Sequence, residues 1–179
     1  MAASSKSYKI IIGLGNPGKA YENSYHNAGY LYIDYLASTL GSPKLKLSVS
    51  KDFEYSKTAN VILVKPATFM NNSGAAVTSA LKRFKVKQNE ILVAHDDSDI
   101  SLGGYKLSIG KKSAGHNGVE SIIRQLGSND FSRLRIGVRS DKNGLRQKAG
   151  SFVLKKIGKV ESAAFNKVFE EVSKLAGLS

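Results

Sequence analysis

Cysteine is absent from this 179-residue chain. That absence removes a disulfide framework, a thiolate metal site and a cysteine nucleophile, and it makes a reducing intracellular compartment the simpler expectation. Long apolar runs are missing too: stretches such as Val61 to Val64 are far too short to cross a bilayer, so a soluble protein with no membrane partner is expected. There is no G-x-S-x-G turn to carry a strained serine nucleophile, no internal repeat and no low-complexity linker. Acidic residues are scarce, 14 against 27 lysines and arginines, for a formal net charge of +13. A surplus of that size predicts a polyanionic partner, with simple solubilisation by lysine as the bland alternative. Because no strongly amphipathic basic helix stands out, phosphates come before acidic lipids. The opening MAASSKSYK has basic and hydroxyl residues but neither acid nor arginine. It is a faint echo of an organelle transit peptide, so a mitochondrial address stays open beside a cytoplasmic one, and residues 1–7 are read as a frayed terminus.

What is present suits one α/β domain covering residues 1–179, since 41% hydrophobic composition at this length can bury a core. Strand-like runs occur at Tyr8 to Leu14, Asn60 to Lys65, Glu90 to Ala94, Tyr105 to Ile109 and Arg133 to Val138. Helical periodicity runs from His26 to Leu40, from Asn72 or Ser73, either of which can cap that helix, to Phe84, from Gly118 to Leu126 with Gly127 as the stop, and from about Val160 to Ala176. The alternation predicts a twisted sheet flanked by helices. A hairpin-like stretch, Phe53 to Lys65, would make that sheet mixed. The polar loop Ser140 to Gly150 is expected to be a mobile hinge or lid before the last helix.

The segment GLGNPG, Gly13 to Gly18, has the spacing of a dinucleotide-binding turn, but the details oppose that reading. Helical periodicity starts only near His26 instead of at the third glycine, Pro17 lacks an amide donor, and Asp34 falls within the helical stripe. The loop is more informative for Asn16, Tyr21, His26 and Asn27. Two further polar clusters follow other strands, KPATFMNNSG at Lys65 to Gly74 and AHDDSD at Ala94 to Asp99. If those strands are neighbours, Asn16, His26, Asn71 and Asp96 converge on one crevice. Such a set suits hydrolysis by water: histidine takes a proton near neutral pH, a carboxylate on its other nitrogen fixes the tautomer, and asparagine amides bind a backbone or a developing oxyanion. Asp96, Asp97 and Asp99 with His95 suit a divalent metal, or equally a solvated loop after a strand. His116 in SAGHNG divides between substrate contact and structural turn.

Taken together, the strings GLGNPGKAY (Gly13 to Tyr21), HNAG (His26 to Gly29), KPATFMNNSG, HDDSD (His95 to Asp99), GHNG (Gly115 to Gly118) and RLRIGVR (Arg133 to Arg139) carry a resemblance to the bacterial-type peptidyl-tRNA hydrolases. These enzymes cleave the ester joining a peptide to tRNA. The resemblance spans about Lys9 to Phe152 and implies a single mixed-sheet α/β domain, acting as a monomer without metal or other cofactor. It implies His26 as the base that activates water, Asp96 as its partner and Asn71 as an aid to the water and the transition state. Asn16 and Asn117 would hold the peptide backbone, and Tyr21, Met70 and His116 would shape the groove. Three features depart from the family pattern. Ser24-Tyr25-His26-Asn27 stands where T-R-H-N is usual, GKKSAG (Gly110 to Gly115) replaces a glycine-rich run, and Ser108 occupies one position of the expected tRNA phosphate clamp. Arg135 retains the other clamp position, and Lys106, Lys111 and Lys112 are the candidate substitutes. A noncatalytic RNA-binding module of the same fold is the second reading, and a nicotinamide-dependent oxidoreductase a distant third.

Overall fold

The computed structural model describes residues 7–139 and 153–178. The expected lid at 140–150, and all of the frayed terminus except residue 7, lie outside them. Seven strands form one sheet: β1 (Ile10–Gly13), β2 (Lys46–Leu47), β3 (Phe53–Lys57), β4 (Ile62–Pro66), β5 (Ile91–Ser101), β6 (Tyr105–Ile109) and β7 (Ser132–Arg139). Their order is β2-β3-β4-β1-β5-β7-β6. The central four, β4-β1-β5-β7, are parallel. Antiparallel pairings of β3 with β4, β2 with β3 and β6 with β7 extend the edges, so the sheet is mixed and the expected hairpin is present.

Among the described residues four α-helices cover the sheet: α1 (Ala28–Thr39), α2 (Ser73–Phe84), α3 (Asn117–Leu126) and α4 (Lys159–Leu175). The strand IIIG of β1 is buried at every position, as a central parallel strand with helices on both faces must be. Ile11 faces a core formed with Tyr32, Ile33 and Leu36 of α1 and Phe165, Val168, Phe169 and Val172 of α4. Ile10 and Ile12 face the other core, with Val77, Ala80 and Leu81 of α2 and Val119 and Ile122 of α3. The i, i+3, i+4, i+7 spacing of the α4 residues supplies one apolar stripe, which anchors the C-terminal helix beside α1.

Two sequence expectations need correction. Asn72 and Ser73 stand at the start of α2, but neither side chain caps it: the Ser73 hydroxyl donates to the Met70 carbonyl at 2.9 Å. The first-turn amide of Gly74 instead donates to Ser121 Oγ on α3 at 3.0 Å. The cap therefore comes from another helix, where no local pattern reveals it. The second correction concerns HDDSD, which does not follow the strand but continues it. Asp96 and Asp97 still pair with Ile136 and Gly137 of β7, and the register becomes irregular only between Asp97 and Ser101. Polar residues persist in this strand because their partners lie within the protein.

Candidate active site

The ends of β1, β4 and β5 are neighbours in the sheet, so the three polar clusters meet at its C-terminal edge, where open α/β sheets hold ligands. The chain reaches this edge by a close backbone approach. A side chain at Gly29, near the start of α1, would collide with the Ala94 carbonyl on β5 and the backbone of Leu14. Glycine lets the turn before α1 sit directly against β5. That turn, Tyr25–Asn27, is one short 3-10 helix, and His26 is its middle residue.

His26 Nδ1 lies 2.8 Å from Asp96 Oδ1, and His116 Nε2 lies 3.0 Å from the same oxygen. Asp96 is 3% exposed. Burial alone would raise its pKa, but the two imidazoles outweigh burial and hold the carboxyl far below the usual carboxylate range. His26 shows the converse balance: burial lowers its pKa, while the hydrogen bond and charge of Asp96 raise it further, for a net rise above 6.5. With Nδ1 facing Asp96, Nε2 is the nitrogen left for chemistry. The backbone is fixed as well, since the His26 amide donates to the Val153 carbonyl at 2.7 Å and the Tyr25 amide to that of Lys155 at 3.2 Å.

Asparagines build the adjoining wall. The Asn16 amide donates to Asn27 Oδ1 at 2.8 Å, and Asn27 Nδ2 donates back to the Asn16 carbonyl at 3.1 Å. The Met70 amide donates to Asn16 Oδ1 at 2.8 Å. This fixes the Asn16 side chain with its oxygen toward the 3-10 turn Met70–Asn72, leaving Nδ2 as the donor end. Met70 is buried against Gly118, and Tyr21 sits edge-on to Phe69 with centroids 6.2 Å apart. Asn71 and Asn117 are exposed. Asn71 follows Met70 in its turn and Asn117 follows His116 at the start of α3.

The basic candidates lie across the sheet on β6 and the loop before α3. Lys106, Lys111 and Lys112 are exposed, and Lys106 pairs in register with Arg135. Arg135 Nε donates to Asp97 Oδ2 at 2.7 Å, and Arg133 Nη1 donates to the Lys112 carbonyl at 3.1 Å. Ser108 Oγ is buried without a hydrogen-bond partner, so this strand offers no cation there. Sequence reasoning missed the structural duty of Arg133 and the Asp97–Arg135 pair. The i, i+2 alternation along β7 was the available signal for a shared face.

Two chemical alternatives can be tested against this geometry. His26, Asp96 and His116 offer ligand atoms within 4.8 Å of one another, a spacing open to a metal. His116 Nδ1, however, accepts from the amides of Gly118 and Val119 at 3.2 and 3.3 Å. The single proton of its neutral ring must then reside on Nε2, the atom a metal would need bare. The donor set therefore suits a hydrogen-bond network better than an ion. Of the acidic-loop alternative, Asp97 is tied to Arg135, and His95 is buried with Nδ1 at 2.7 Å from the Asp96 carbonyl. A dinucleotide turn is opposed by the late start of the helix: α1 opens at Ala28, well beyond Gly18.

Comparison with known proteins identifies a family. The peptidyl-tRNA hydrolase family model matches residues 10–178. A peptidyl-tRNA hydrolase of Marinobacter nauticus is 40% identical over 93% of this chain and 85% of its own length. One from Neisseria meningitidis is 42% identical over 85% of this chain and 80% of its own. The crystal structure of an Arg119Gln mutant of the Acinetobacter baumannii peptidyl-tRNA hydrolase superimposes with a TM-score of 0.85 at 30% identity, covering 99% of this chain and 91% of that one. These relatives are bacterial and give a mitochondrial address no support. Among the described residues no helix is long and apolar enough to cross a membrane. With nearly its whole length matched by the family model and by relatives of about 40% identity, the chain belongs to the peptidyl-tRNA hydrolase family.

Proposed function

We propose that the chain hydrolyses the ester between peptide and tRNA in peptidyl-tRNA, releasing free tRNA, with water activated by a histidine–aspartate pair and without metal. The observation that carries this reading is the 2.8 Å contact between His26 Nδ1 and the buried Asp96 Oδ1. Asp96 holds the Nδ1–H tautomer, so His26 Nε2 accepts a proton from water as the oxygen attacks the ester carbonyl, and the imidazolium that forms faces an ionised carboxylate. Asn71, exposed at the head of α2, positions that water and the developing oxyanion. Asn16 Nδ2 and the Asn117 amide hold the peptide backbone, while Tyr21 and Met70 shape the groove. Lys106, Lys111, Lys112 and Arg135 take the tRNA phosphates. The protein acts as a monomer in the cytoplasm, since no step draws on a second copy.

The test is single-turnover hydrolysis of an N-acylated aminoacyl-tRNA and its free aminoacyl counterpart, with and without exhaustive chelation. Cleavage of the acylated substrate alone, unchanged by chelator, is expected. A free amine presents a positive charge where the asparagine amides seek a carbonyl, and unmatched polar groups are costly. Loss of activity on chelation with recovery on adding a divalent ion would replace the water-activation scheme. Tight tRNA binding with no turnover would favour the noncatalytic RNA-binding module.

A further inference from the structure

We infer that His116 is a positioning residue, locked by the N-terminus of α3 as a neutral donor to Asp96, and that through Asp96 it sets the pH at which His26 becomes an active base. This rests on the reading of His26 as the base. It assigns His116 a duty different from lining the groove, and it removes the residue as a substitute base.

An α-helix leaves its first amides without partners inside the helix. At α3 the N-cap is His116, whose Nδ1 accepts from the amides of Gly118 and Val119. A lone pair that receives two N–H groups cannot also carry a proton. His116 is therefore confined to the tautomer with hydrogen on Nε2, and that hydrogen points at Asp96 Oδ1, 3.0 Å away. Both of its nitrogens are committed, so none is left to take a proton from water.

The oxygen it binds is the one His26 also binds. Two donors on one carboxylate oxygen disperse its charge, so each weakens the hold of the other. With His116 in place, Asp96 raises the pKa of His26 above its ordinary value; without it, the undivided charge would raise it further. The ionisable groups around this centre are His26 from the turn before α1, His116 from α3, and His95 beside Asp96 on β5. His95 packs edge-on to His116 with ring centroids 4.6 Å apart, and His26 lies 5.1 Å from His116 on another side. Burial, the largest influence, pushes the His95 pKa well below its usual range, with Asp96 opposing it. His95 is thus neutral and contributes no competing charge. The remaining neighbours are Asp97 and Arg135, which pair with each other at 2.7 Å.

Two near-isosteres separate the two bonds of His116. In His116→Asn the side-chain oxygen falls where Nδ1 was and keeps the helix cap, while the donor to Asp96 is lost. In His116→Gln the amide nitrogen reaches the place of Nε2 and keeps the donor, while the cap is lost. The measurements are kcat against pH and ring-proton NMR titration of the full chain, which is tractable because it holds three histidines. The Asn variant should move the His26 titration and the acid limb of the rate profile upward together by roughly one pH unit, the scale of a lost charged hydrogen bond, and so lower the rate about tenfold below the midpoint. The Gln variant should keep the wild-type midpoint at reduced thermal stability. If the Asn variant superimposes on wild type, or the Gln variant shifts as far as Asn, the inference is overturned. If the His26 titration does not track the rate profile in the wild type, it is the assignment of His26 as base that fails.

Discussion

The centre around Asp96 and the basic strip along β6 differ in how much of the protein holds each side chain. His26 is fixed by its backbone bond to Val153 and by Asp96, Asp96 by two imidazoles, and His116 by the first amides of α3. Lys106, Lys111 and Lys112 stand exposed on a strand edge and a loop. Chemistry at a reacting bond tolerates little misplacement, since a small displacement of a catalytic group costs orders of magnitude. Attraction of a polyanion depends on summed charge and tolerates rearrangement. The first region is over-determined and the second redundant, so substitutions should have large effects in one and small, additive effects in the other.

The largest effect expected is in His26→Ala. Removing the base should lower single-turnover hydrolysis by up to about 10⁴-fold, the upper scale of general-base assistance, while tRNA binding stays near normal. Because both nitrogens of His116 are already engaged, no neighbouring imidazole replaces the missing one. Near-normal turnover in a correctly folded His26→Ala protein would break the contrast at its strongest point.

Asp96→Asn comes next, with a loss of roughly 10²-fold in the plateau rate. The sign of its pH effect sharpens the test. In the wild type the Asp96 interaction raises the pKa of His26 despite burial, so the neutral, active form appears only above the ordinary value of about 6.5. With the charge gone, burial acts alone and the midpoint must fall. The profile of the variant should therefore be lower in height but shifted to acid, and its deficit should shrink as pH is reduced. A midpoint unchanged or raised would show that Asp96 does not govern His26. The double variant should be no worse than His26→Ala, because both changes disable one unit.

How much of this was legible in the sequence follows the same division. Strand β6 has the bounds expected from its alternation, and α1, α2, α3 and α4 each begin and end within about two residues of their periodic stripes. The neighbouring placement of β4, β1 and β5 brought Asn16, His26 and Asp96 to one edge as their position after strands suggested. The extension of β5 through Asp97 was not legible, because alternating polar residues read as a loop until β7 is known to pair with them. Nor was the Asn16–Asn27 amide pair, or the cap that Ser121 gives to α2. Each needs a contact between residues distant in sequence, for which no local propensity speaks. The short strand β2, two exposed residues paired with β3, carries too little pattern to be seen at all.

The smallest effect, and the one that probes the redundant side, is expected from replacing Lys111 and Lys112 together with alanine. Both lie in the loop between β6 and α3, whose backbone is held where Arg133 donates to the Lys112 carbonyl. That bond uses main chain, so the double variant should retain the loop and lose only its charge. Each lysine that neutralises a phosphate releases condensed counterions, so affinity falls with salt with a slope near −0.9 per contact on duplex. If both lysines touch the acceptor stem, the slope of log affinity against log salt should flatten by about 1 to 2, with weaker binding at low salt and little change at high salt. The maximal rate under saturating substrate should be unaffected, since neither residue belongs to the Asp96 network. Lys106, opposite Arg135 in register, supplies the comparison: Lys106→Ala should flatten the slope by a further unit, additively, as independent charges do. An unchanged slope in the double variant would place the tRNA off this loop. A loss of maximal rate would mean that the two regions are coupled, and that the basic strip also helps place the ester against His26.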